Sequence, residues 1–328
     1  MEPISIQVDV VPGKLVVRVW HHEVDSLGGP VACWSYVTDG LLNWGQKELI
    51  LTVSRDVHDV ASSELPIQFF RQVGEFAAQG RFVDVGDLTE FGQVGFMGNF
   101  KGILYTWSLP LPGIELAHDA LAAILATEEE LSVVKRCGVT RVVVRLGHAY
   151  RYFPYPPWSD RSRSSVVTSS FWQQSVLSKL ALTVRVTGTT VRKEQGQVHL
   201  RLHQKAVGVF EEGISQAPAN APIAFVANPD PEADAMLVWE PGQRQPEAIS
   251  PPGSTGERVG GCFVVFLPEQ DSNGGEPFED GFVMKLTNPS WEQISQAVRS
   301  CRPVLINGAA GSPVFRLSWV TDTTRRAN

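Results

Sequence analysis

The feature that most constrains the fold is a pair of alternating segments near the N-terminus. The first runs from Cys33 to Leu41, and the second runs from Gly45 to Val53. Apolar and polar residues alternate in both segments, which is the period of a β-strand with one buried face. Asp39-Gly40 and Asn43-Trp44-Gly45, between the two, supply residues that tolerate a positive φ. The pattern predicts a strand, a glycine-containing turn and a second strand.

The flanking residues predict more of the same sheet and one helix. Ile4 to Val10 and Lys14 to Trp20 alternate around Pro12-Gly13, which predicts an opening hairpin in the same sheet. Further along, the spacing of Ile67, Phe70, Val73 and Phe76 predicts a helix that ends at Gly80.

The next segment predicts one short strand, two helices and a strong strand. The strand is Ile103 to Leu109. The spacing of apolar residues from Ile114 to Leu125 favours a first helix, and Thr127-x-x-Glu130 is typical of a capping box that opens a second, which Gly138 closes. The valine-rich run from Arg141 to Leu146 predicts the strong strand.

Pro154 to Pro157 then interrupt regular structure, and we expect a domain boundary after Trp158. The expected domains are residues 1–158, an α+β domain, and residues 159–328, a second, mostly β domain. In the second half, strands are predicted at Ala181–Thr187, Val198–Leu202, Ile223–Ala227, Met236–Trp239, Gly261–Leu267, Gly281–Leu286 and Val314–Val320, with a helix from Pro289. The predicted class is α+β, with two mixed or mainly antiparallel sheets flanked by a few helices.

Composition agrees with a folded protein that binds neither nucleic acid nor the membrane interior. The chain has 328 residues, of which 43% are hydrophobic and 19% charged, and its net charge is -7. A chain of this size can bury a large core, and an acidic surface disfavours nucleic acid. It lacks a signal-peptide pattern and an apolar run long enough to span a membrane. We therefore expect a cytoplasmic protein, with its four separated cysteines reduced and mostly buried.

Several short motifs, in order along most of the chain, carry a family resemblance. They are Cys33-Trp34 through Gly40 with Gly45-Gln46-x-Glu48, Leu109-Pro110-Leu111-Pro112, Arg145-Leu146-Gly147-x-x-Tyr150-Arg151, Val191-Arg192-Lys193, Gly261-x-Phe263-x-Val265-Phe266 and Glu279-Asp280-Gly281. Through them the chain resembles the C-terminal domain of the Smad anchor for receptor activation and endofin family, a domain of unknown function. Trp34, Tyr36 and Gly40-Leu41 also resemble the N-terminal domain of suppressor of fused and its bacterial homologues.

Both resemblances imply an α+β scaffold that acts by binding other proteins, with no catalytic residues or cofactor. The chain departs from the first family in having no zinc-finger region of the phosphoinositide-binding type and no Smad-binding segment. Endosomal targeting and Smad binding are therefore not expected to carry over.

The search for catalytic or metal-binding chemistry gives weak candidates. His199 and His203 alternate as in a strand, where their side chains are too far apart to share a metal, and His21-His22 are expected in a solvent-facing turn. Asp84, Asp87 and Glu90 precede the glycine-rich loop Gly92-x-x-Gly95-x-x-Gly98, which lacks the ending of a phosphate-binding loop. Cys33 is expected in the core, and Arg161 with Arg163 in an exposed loop.

The partner-binding candidates lie around the predicted boundary between the domains. Tyrosine, tryptophan and arginine are the residue types that carry interface energy. The residues proposed for a partner are Arg145, Tyr150, Arg151, Tyr152, Tyr155 and Trp158. Two interpretations remain open for the aromatic segment, either a plug between domains or an exposed groove for a protein or peptide.

Three functions follow from these observations. The first is a non-enzymatic protein-interaction module of the adaptor or scaffold type, to which exposed strand edges could add a partner strand. The second is a bacterial immunity protein that neutralises a toxin. The third is an enzyme that uses the acidic cluster and His148; it requires those groups to converge in one pocket.

Overall fold

The computed structural model describes residues 4–55, 63–92, 95–168 and 170–320, and these residues form two compact units. The first unit comprises the described part of Met1–Ser132 with Pro156–Val166, and the second comprises Val133–Tyr155 with the described part of Val167–Asn328. This division differs from the predicted boundary after Trp158. Residues 133–155 belong to the second unit, and Ser159 instead joins the first, where its backbone N–H donates to Thr52 at 2.8 Å.

The first unit is built on a seven-stranded sheet. Its strands are β1 (Ile4–Val11), β2 (Leu15–Val24), β3 (Val31–Asp39), β4 (Leu49–Ser54), β5 (Leu88–Glu90), β6 (Gly102–Trp107) and β7 (Leu121–Ala126). Their order is β1-β2-β3-β4-β7-β6-β5, in which only the β4–β7 pair is parallel. The predicted opening hairpin and the two strands that extend it are confirmed, as is the predicted helix, α1 (Leu65–Ala78). Phe69, Phe70 and Val73 of α1 lie in the core of this unit.

The turn between β3 and β4 explains several of the motif residues near the N-terminus. Gly40 has a φ of 122°, and a Cβ at this position would lie 2.1 Å from the carbonyl oxygen of Lys14, so no other residue fits. The carboxylate of Glu48 accepts hydrogen bonds from the backbone N–H groups of Gly40 and Leu42, at 3.0 and 3.1 Å. Gln46 donates to and accepts from the backbone of Val83. These side chains hold the turn and the neighbouring loop together.

The helix predicted from Ile114 to Leu125 is wrong, because residues 121–126 form strand β7. This strand pairs with β6 along its full length and with β4 at Leu49 and Ile50. Five of its six residues are buried. A short apolar run that is covered on both faces carries no alternation, and apolar spacing alone does not separate it from a helix.

The capping box at Thr127 is confirmed and begins helix α2 (Glu128–Cys137). The backbone N–H of Thr127 donates to Glu130 Oε2 at 2.9 Å, and the backbone N–H of Glu130 donates to Thr127 Oγ1 at 3.3 Å. Gly138, with a φ of 87°, ends this helix as predicted. The same glycine immediately precedes the next helix, α3 (Val139–Tyr150).

The strong strand predicted from Arg141 to Leu146 is wrong, since these residues lie in α3. The prediction followed the β-branched residues Val142, Val143 and Val144. Every residue of α3 from Val139 to Gly147 is buried, including Arg141 and Arg145, so the helix is enclosed on all sides by the rest of the unit. Packing therefore overrides the local preference for a strand.

The second unit contains two sheets, one more than the sequence predicts for this half. Its strands are β8 (Leu182–Arg185), β9 (Thr190–Glu194), β10 (Gln197–His203), β11 (Ile223–Val226), β12 (Ala235–Val238), β13 (Glu247–Ile249), β14 (Arg258–Gly260), β15 (Phe263–Leu267), β16 (Gly274–Phe278), β17 (Gly281–Lys285), β18 (Val304–Asn307) and β19 (Pro313–Val320). The seven-stranded sheet has the order β13-β12-β14-β9-β10-β19-β18, and the five-stranded sheet has the order β16-β17-β15-β11-β8.

Helices complete this unit and enclose its core. They are α3, α4 (Phe171–Gln174), α5 (Ala206–Gln216) and α6 (Asn288–Arg299). Phe210 of α5, Phe225 of β11, Phe266 of β15 and Trp291 of α6 pack as a chain of aromatic contacts with ring centroids 5.7–6.3 Å apart. The predicted α+β class is confirmed, with mixed sheets in both units.

Candidate partner-binding surface

A fully buried arginine anchors α3 inside the second unit. Arg141 donates from Nε to Asp280 Oδ1 at 2.9 Å, from Nη1 to Ser175 Oγ at 2.7 Å and from Nη2 to Glu279 Oε2 at 3.0 Å. Its side chain has no exposed surface, and Asp280 is 1% exposed. Burial lowers the pKa of Arg141, but the nearby Asp280 and Glu279 carboxylates outweigh it and raise the pKa overall. Arg141 therefore stays charged and neutralises part of a buried acidic pair.

Glu279 is held from a second direction as well. Glu279 accepts hydrogen bonds from Ser175 Oγ at 2.7 Å and from the backbone N–H of Val176 at 2.6 Å. A Cβ on Gly281 would lie 2.4 Å from the carbonyl oxygen of Phe263, so this position requires glycine. The Glu279-Asp280-Gly281 motif is thus explained by packing and by the charge of Arg141.

One turn further along α3, Arg145 is also buried and holds the β12–β13 connection. Its Nη1 donates to the carbonyl oxygen of Trp239 at 2.7 Å, and its Nη2 lies 2.9 Å from Glu240 Oε2. The guanidinium groups of Arg141 and Arg145 both lie over the ring of Phe171, at 5.3 and 4.6 Å from its centroid. Arg145 therefore stabilises the fold of this unit, and its contacts leave little of it for a partner.

The end of α3 folds back sharply, and this requires Gly147. A Cβ at Gly147 would lie 2.2 Å from the carbonyl oxygen of Pro154 and 2.8 Å from that of Tyr152. The chain after the helix therefore returns against its last turn. This return brings the residues that follow Gly147 to the surface of the second unit.

We define the α3 exit surface as His148, Tyr150, Arg151 and Tyr152. Arg151 is exposed, and the other three are half-buried. His148 lies 3.9 Å from Glu240 Oε1 and 3.6 Å from Glu247 Oε2, which places two carboxylates at the edge of this surface. The surface therefore combines tyrosine rings, an arginine and flanking acids.

Arg151 combines a positive φ with an exposed arginine side chain. It occupies the left-handed helical region, with φ 51° and ψ 44°, at the position where helices commonly place glycine. Its guanidinium forms no ion pair within the described part of the chain. The backbone N–H of Arg151 caps the helix by donating to the carbonyl oxygens of Gly147 and His148, which accounts for the αL conformation but not for an arginine side chain there.

The six predicted partner-binding residues therefore divide into two groups. Tyr150, Arg151 and Tyr152 are brought together at the α3 exit surface, whereas Arg145, Tyr155 and Trp158 are buried. Tyr155 and Trp158 are 3% and 5% exposed, and burial raises the pKa of Tyr155.

The acidic cluster has partners within the first unit. Asp84 forms an ion pair with Lys47 at 2.6 Å, and Asp87 Oδ2 accepts from the backbone N–H of Asp84 at 2.7 Å. Burial raises the pKa of Asp87. Residues 93 and 94 of the glycine-rich loop lie outside the described residues. His148, the other enzyme candidate, belongs to the second unit.

The solvent-facing turn predicted for His21-His22 is wrong, because both residues lie within strand β2, where His21 is half-buried and His22 is buried. His22 is 8% exposed, and its Nε2 is 2.7 Å from Ser35 Oγ, which in turn is 2.6 Å from Thr52 Oγ1. Burial lowers the pKa of His22. His22, Ser35 and Thr52 thus form a chain of hydrogen bonds across strands β2, β3 and β4.

Of the remaining sequence candidates, Cys33, His199 and His203 lie where they were predicted, and Arg163 does not. Cys33 is buried as predicted, and burial raises the pKa of its thiol to about 12. His199 and His203 lie on strand β10 as predicted. Arg163 is not in an exposed loop, because its side chain is 5% exposed and donates to Glu130 Oε2 at 2.8 Å and to the carbonyl oxygen of Leu125 at 2.6 Å.

Residues 4–55, 63–92, 95–168 and 170–320 contain no group of three or more His, Cys, Asp or Glu side chains that could hold a metal ion. Within the same ranges, no helix is both long and apolar enough to cross a membrane.

Sequence reasoning missed the Arg141–Glu279–Asp280 network. Glu279 and Asp280 lie 138 and 139 positions from Arg141, so their meeting depends on the tertiary fold. One local signal was available. A charged residue inside the apolar run from Val139 to Leu146 indicates a buried charge that needs a partner.

Comparison with known proteins connects these features to a family. The model of the family described as "Smad anchor for receptor activation-like, C-terminal" matches residues 117–326. Zinc finger FYVE domain-containing protein 9 from Homo sapiens is 24% identical over 322 residues, which cover 88% of this chain and 22% of that protein. The chain thus spans about a fifth of the length of this relative.

Solved structures of suppressor of fused are also similar to this chain. The Sufu-Fu complex crystal structure matches with a TM-score of 0.37 and 13% identity, over 50% of this chain and 85% of that chain. Drosophila suppressor of fused matches with a TM-score of 0.37 and 8% identity, over 92% of this chain and 87% of that chain.

Proposed function

Because this chain belongs to the Smad anchor for receptor activation-like C-terminal family, we propose that it is a protein-interaction module that acts without catalysis. Its partner is a protein or peptide, and the contact is made at the α3 exit surface. The family description names an anchor for receptor activation, and a protein partner agrees with that name.

The observation that carries this proposal is the state of Arg151. Most residues of the family motifs in the second unit are buried and form contacts that stabilise the fold. Glu279 and Asp280, for example, are buried and bind Arg141. Arg151 belongs to the same motifs, yet it is exposed, forms no ion pair within the described residues and holds a strained backbone. Glycine is the commoner residue at this helix-capping position, so an exposed arginine there points to a role for its side chain, and partner binding supplies one.

The neighbouring residues suit a protein contact. Tyr150 and Tyr152 are half-buried, so their rings are already partly ordered before a partner arrives. Tyrosine loses little conformational entropy on binding, and arginine can donate to carboxylates or carbonyl groups while its plane stacks on a ring.

The enzyme alternative has less support from the contacts of its proposed groups. Asp84 is paired with Lys47 at 2.6 Å, and Asp87 accepts a hydrogen bond from the backbone N–H of Asp84 at 2.7 Å. These contacts give both carboxylates a role in the fold of the first unit.

The test is affinity purification of the tagged chain with quantitative mass spectrometry, in cells of its own source. The variants are Tyr150→Ala and Arg151→Ala, with Gln195→Ala as a control at an exposed turn of the same unit. We expect a protein recovered with wild type and the control to be depleted at least tenfold with both surface variants. Equal recovery with all four proteins would place the contact elsewhere, and the absence of a specific partner would contradict the proposed function.

A further inference from the structure

Strand β1 leaves one long edge of the first unit's sheet open. It pairs with β2 from Ile4 to Val11, and no other strand in the described residues pairs with it. An edge of this length presents a row of backbone N–H and C=O groups that can accept a further strand.

Within the described residues, the other edge strands are either short or carry a proline, whereas β1 is long and has none. Strands β5 and β13 have three residues each, and β8 and β18 have four. Strand β16 carries Pro277, which removes a backbone donor. By contrast, β1 has eight residues, no proline and a single charge, at Asp9.

Three aliphatic side chains of β1 lie on the face of the sheet that covers the core. Val10 is in the core of the first unit, Val8 packs against that core, and both lie on the same face of the strand as Ile6. Ile6 is 53% exposed. A large aliphatic side chain thus stands in water at the open edge, where a new neighbour could cover it.

The sequence of β1 is complementary to itself in one antiparallel register. When two copies are centred on Gln7, Ile6 of one strand lies opposite Val8 of the other, and Asp9 lies opposite Ser5. Centring on Asp9 instead would place two carboxylates directly opposite each other, which is unfavourable. Centring on Gln7 also keeps the central pairs, from Ser5 to Asp9, outside the irregularity that lies between Asp9 and Val11.

We propose that β1 pairs antiparallel with β1 of a second copy of this chain, about a twofold axis at Gln7. The pairing joins two seven-stranded sheets into one continuous sheet and covers Ile6 with Val8 of the partner copy. About a twofold axis, the same strand of each copy forms its half of the interface, so no second binding surface is needed.

The first test is analytical ultracentrifugation of the full chain over a wide range of concentration. We expect a concentration-dependent dimer for wild type, a monomer for Ile6→Lys under the same conditions, and a dimer for Leu305→Lys. Leu305 is the matched control, since it is 50% exposed on edge strand β18. A wild-type monomer at all concentrations, or an Ile6→Lys protein that dimerises as wild type does, would overturn the proposal.

A second variant tests the register even if Ile6→Lys does not fold. Gln7→Cys places two thiols directly opposite each other at the axis, whereas Asp9→Cys places them about 13 Å apart, too far for a disulfide. Under mild oxidation we expect a covalent dimer of Gln7→Cys and none of Asp9→Cys. Cross-linking of both variants to the same extent, or of neither, would contradict the predicted pairing.

Discussion

Arg141 Nε lies 2.9 Å from Asp280 Oδ1 in the interior of the second unit, where both side chains are withdrawn from water. Glu279 shares the same guanidinium, so one positive charge serves two carboxylates. Breaking a buried pair by removing one partner leaves an uncompensated charge, which is far more costly than losing a surface pair.

We therefore expect Arg141→Met to lower the free energy of unfolding of this unit by about 3–5 kcal/mol. Arg258→Met is the control, because Arg258 pairs with Asp234 at 3.5 Å while remaining 43% exposed. The control should lose no more than about 1 kcal/mol. Urea unfolding followed by tryptophan fluorescence gives both values, and equal losses would mean that the buried network is not a principal support.

Because the chain passes so close to Gly147, adding a single methyl group at this position should lower the stability of the protein. Gly147→Ala would force the backbone of Pro154 or Tyr152 to move, and we expect a loss of about 1–3 kcal/mol. Gly208→Ala, within α5, meets no atom within 4 Å and should stabilise the protein by up to about 1 kcal/mol. Thermal unfolding of the two variants should thus shift in opposite directions, and a shift in the same direction would contradict the packing described for Gly147.

His199 predicts a pH dependence of stability. Burial, followed by the nearby charges of Arg192 and Arg316, lowers its pKa from 6.5 to about 4. Between these values the unfolded chain binds the proton more readily than the folded one, so stability falls as the pH drops from about 6.5 towards 4.

His199→Gln should retain a hydrogen bond to Ser318, which lies 2.8 Å from His199 Nε2, and should weaken this pH dependence. The measurement is the urea midpoint across that pH range, with His118→Gln, at an exposed position, as the control. An unchanged pH profile in His199→Gln would show that other groups set it.

The sequence predicts well those elements whose pattern is local. Alternation identified β1 to β4, apolar spacing identified α1, and Thr127 with Glu130 identified the start of α2. It failed at β7, a short apolar run covered on both faces, and at α3, where the β-branched residues Val142 to Val144 favour a strand although the segment is a buried helix. In such buried segments, packing against the rest of the fold determines the secondary structure, and the local sequence pattern does not.

The candidate site was predictable in part for the same reason. Tyrosine and arginine types pointed to the segment from Arg145 to Trp158, and three of its six candidates reach the α3 exit surface. The sequence could not separate Tyr152 from Tyr155, since their exposure depends on how the chain returns past Gly147. Nor could it show that Arg151 ends a helix in the left-handed region, because the segment before it was predicted as a strand.

The most direct test of the account is a paired measurement on Arg151→Gly. Glycine relieves a backbone strain of about 1 kcal/mol at this φ, so the free energy of unfolding should stay equal or rise. Capture of the partner should nevertheless fall at least tenfold. Gln195→Gly, at another exposed residue with φ 50°, is the matched control and should retain capture. If Arg151→Gly unfolds more easily than wild type, or captures the partner as well as wild type does, Arg151 is not held in place for binding and the account fails.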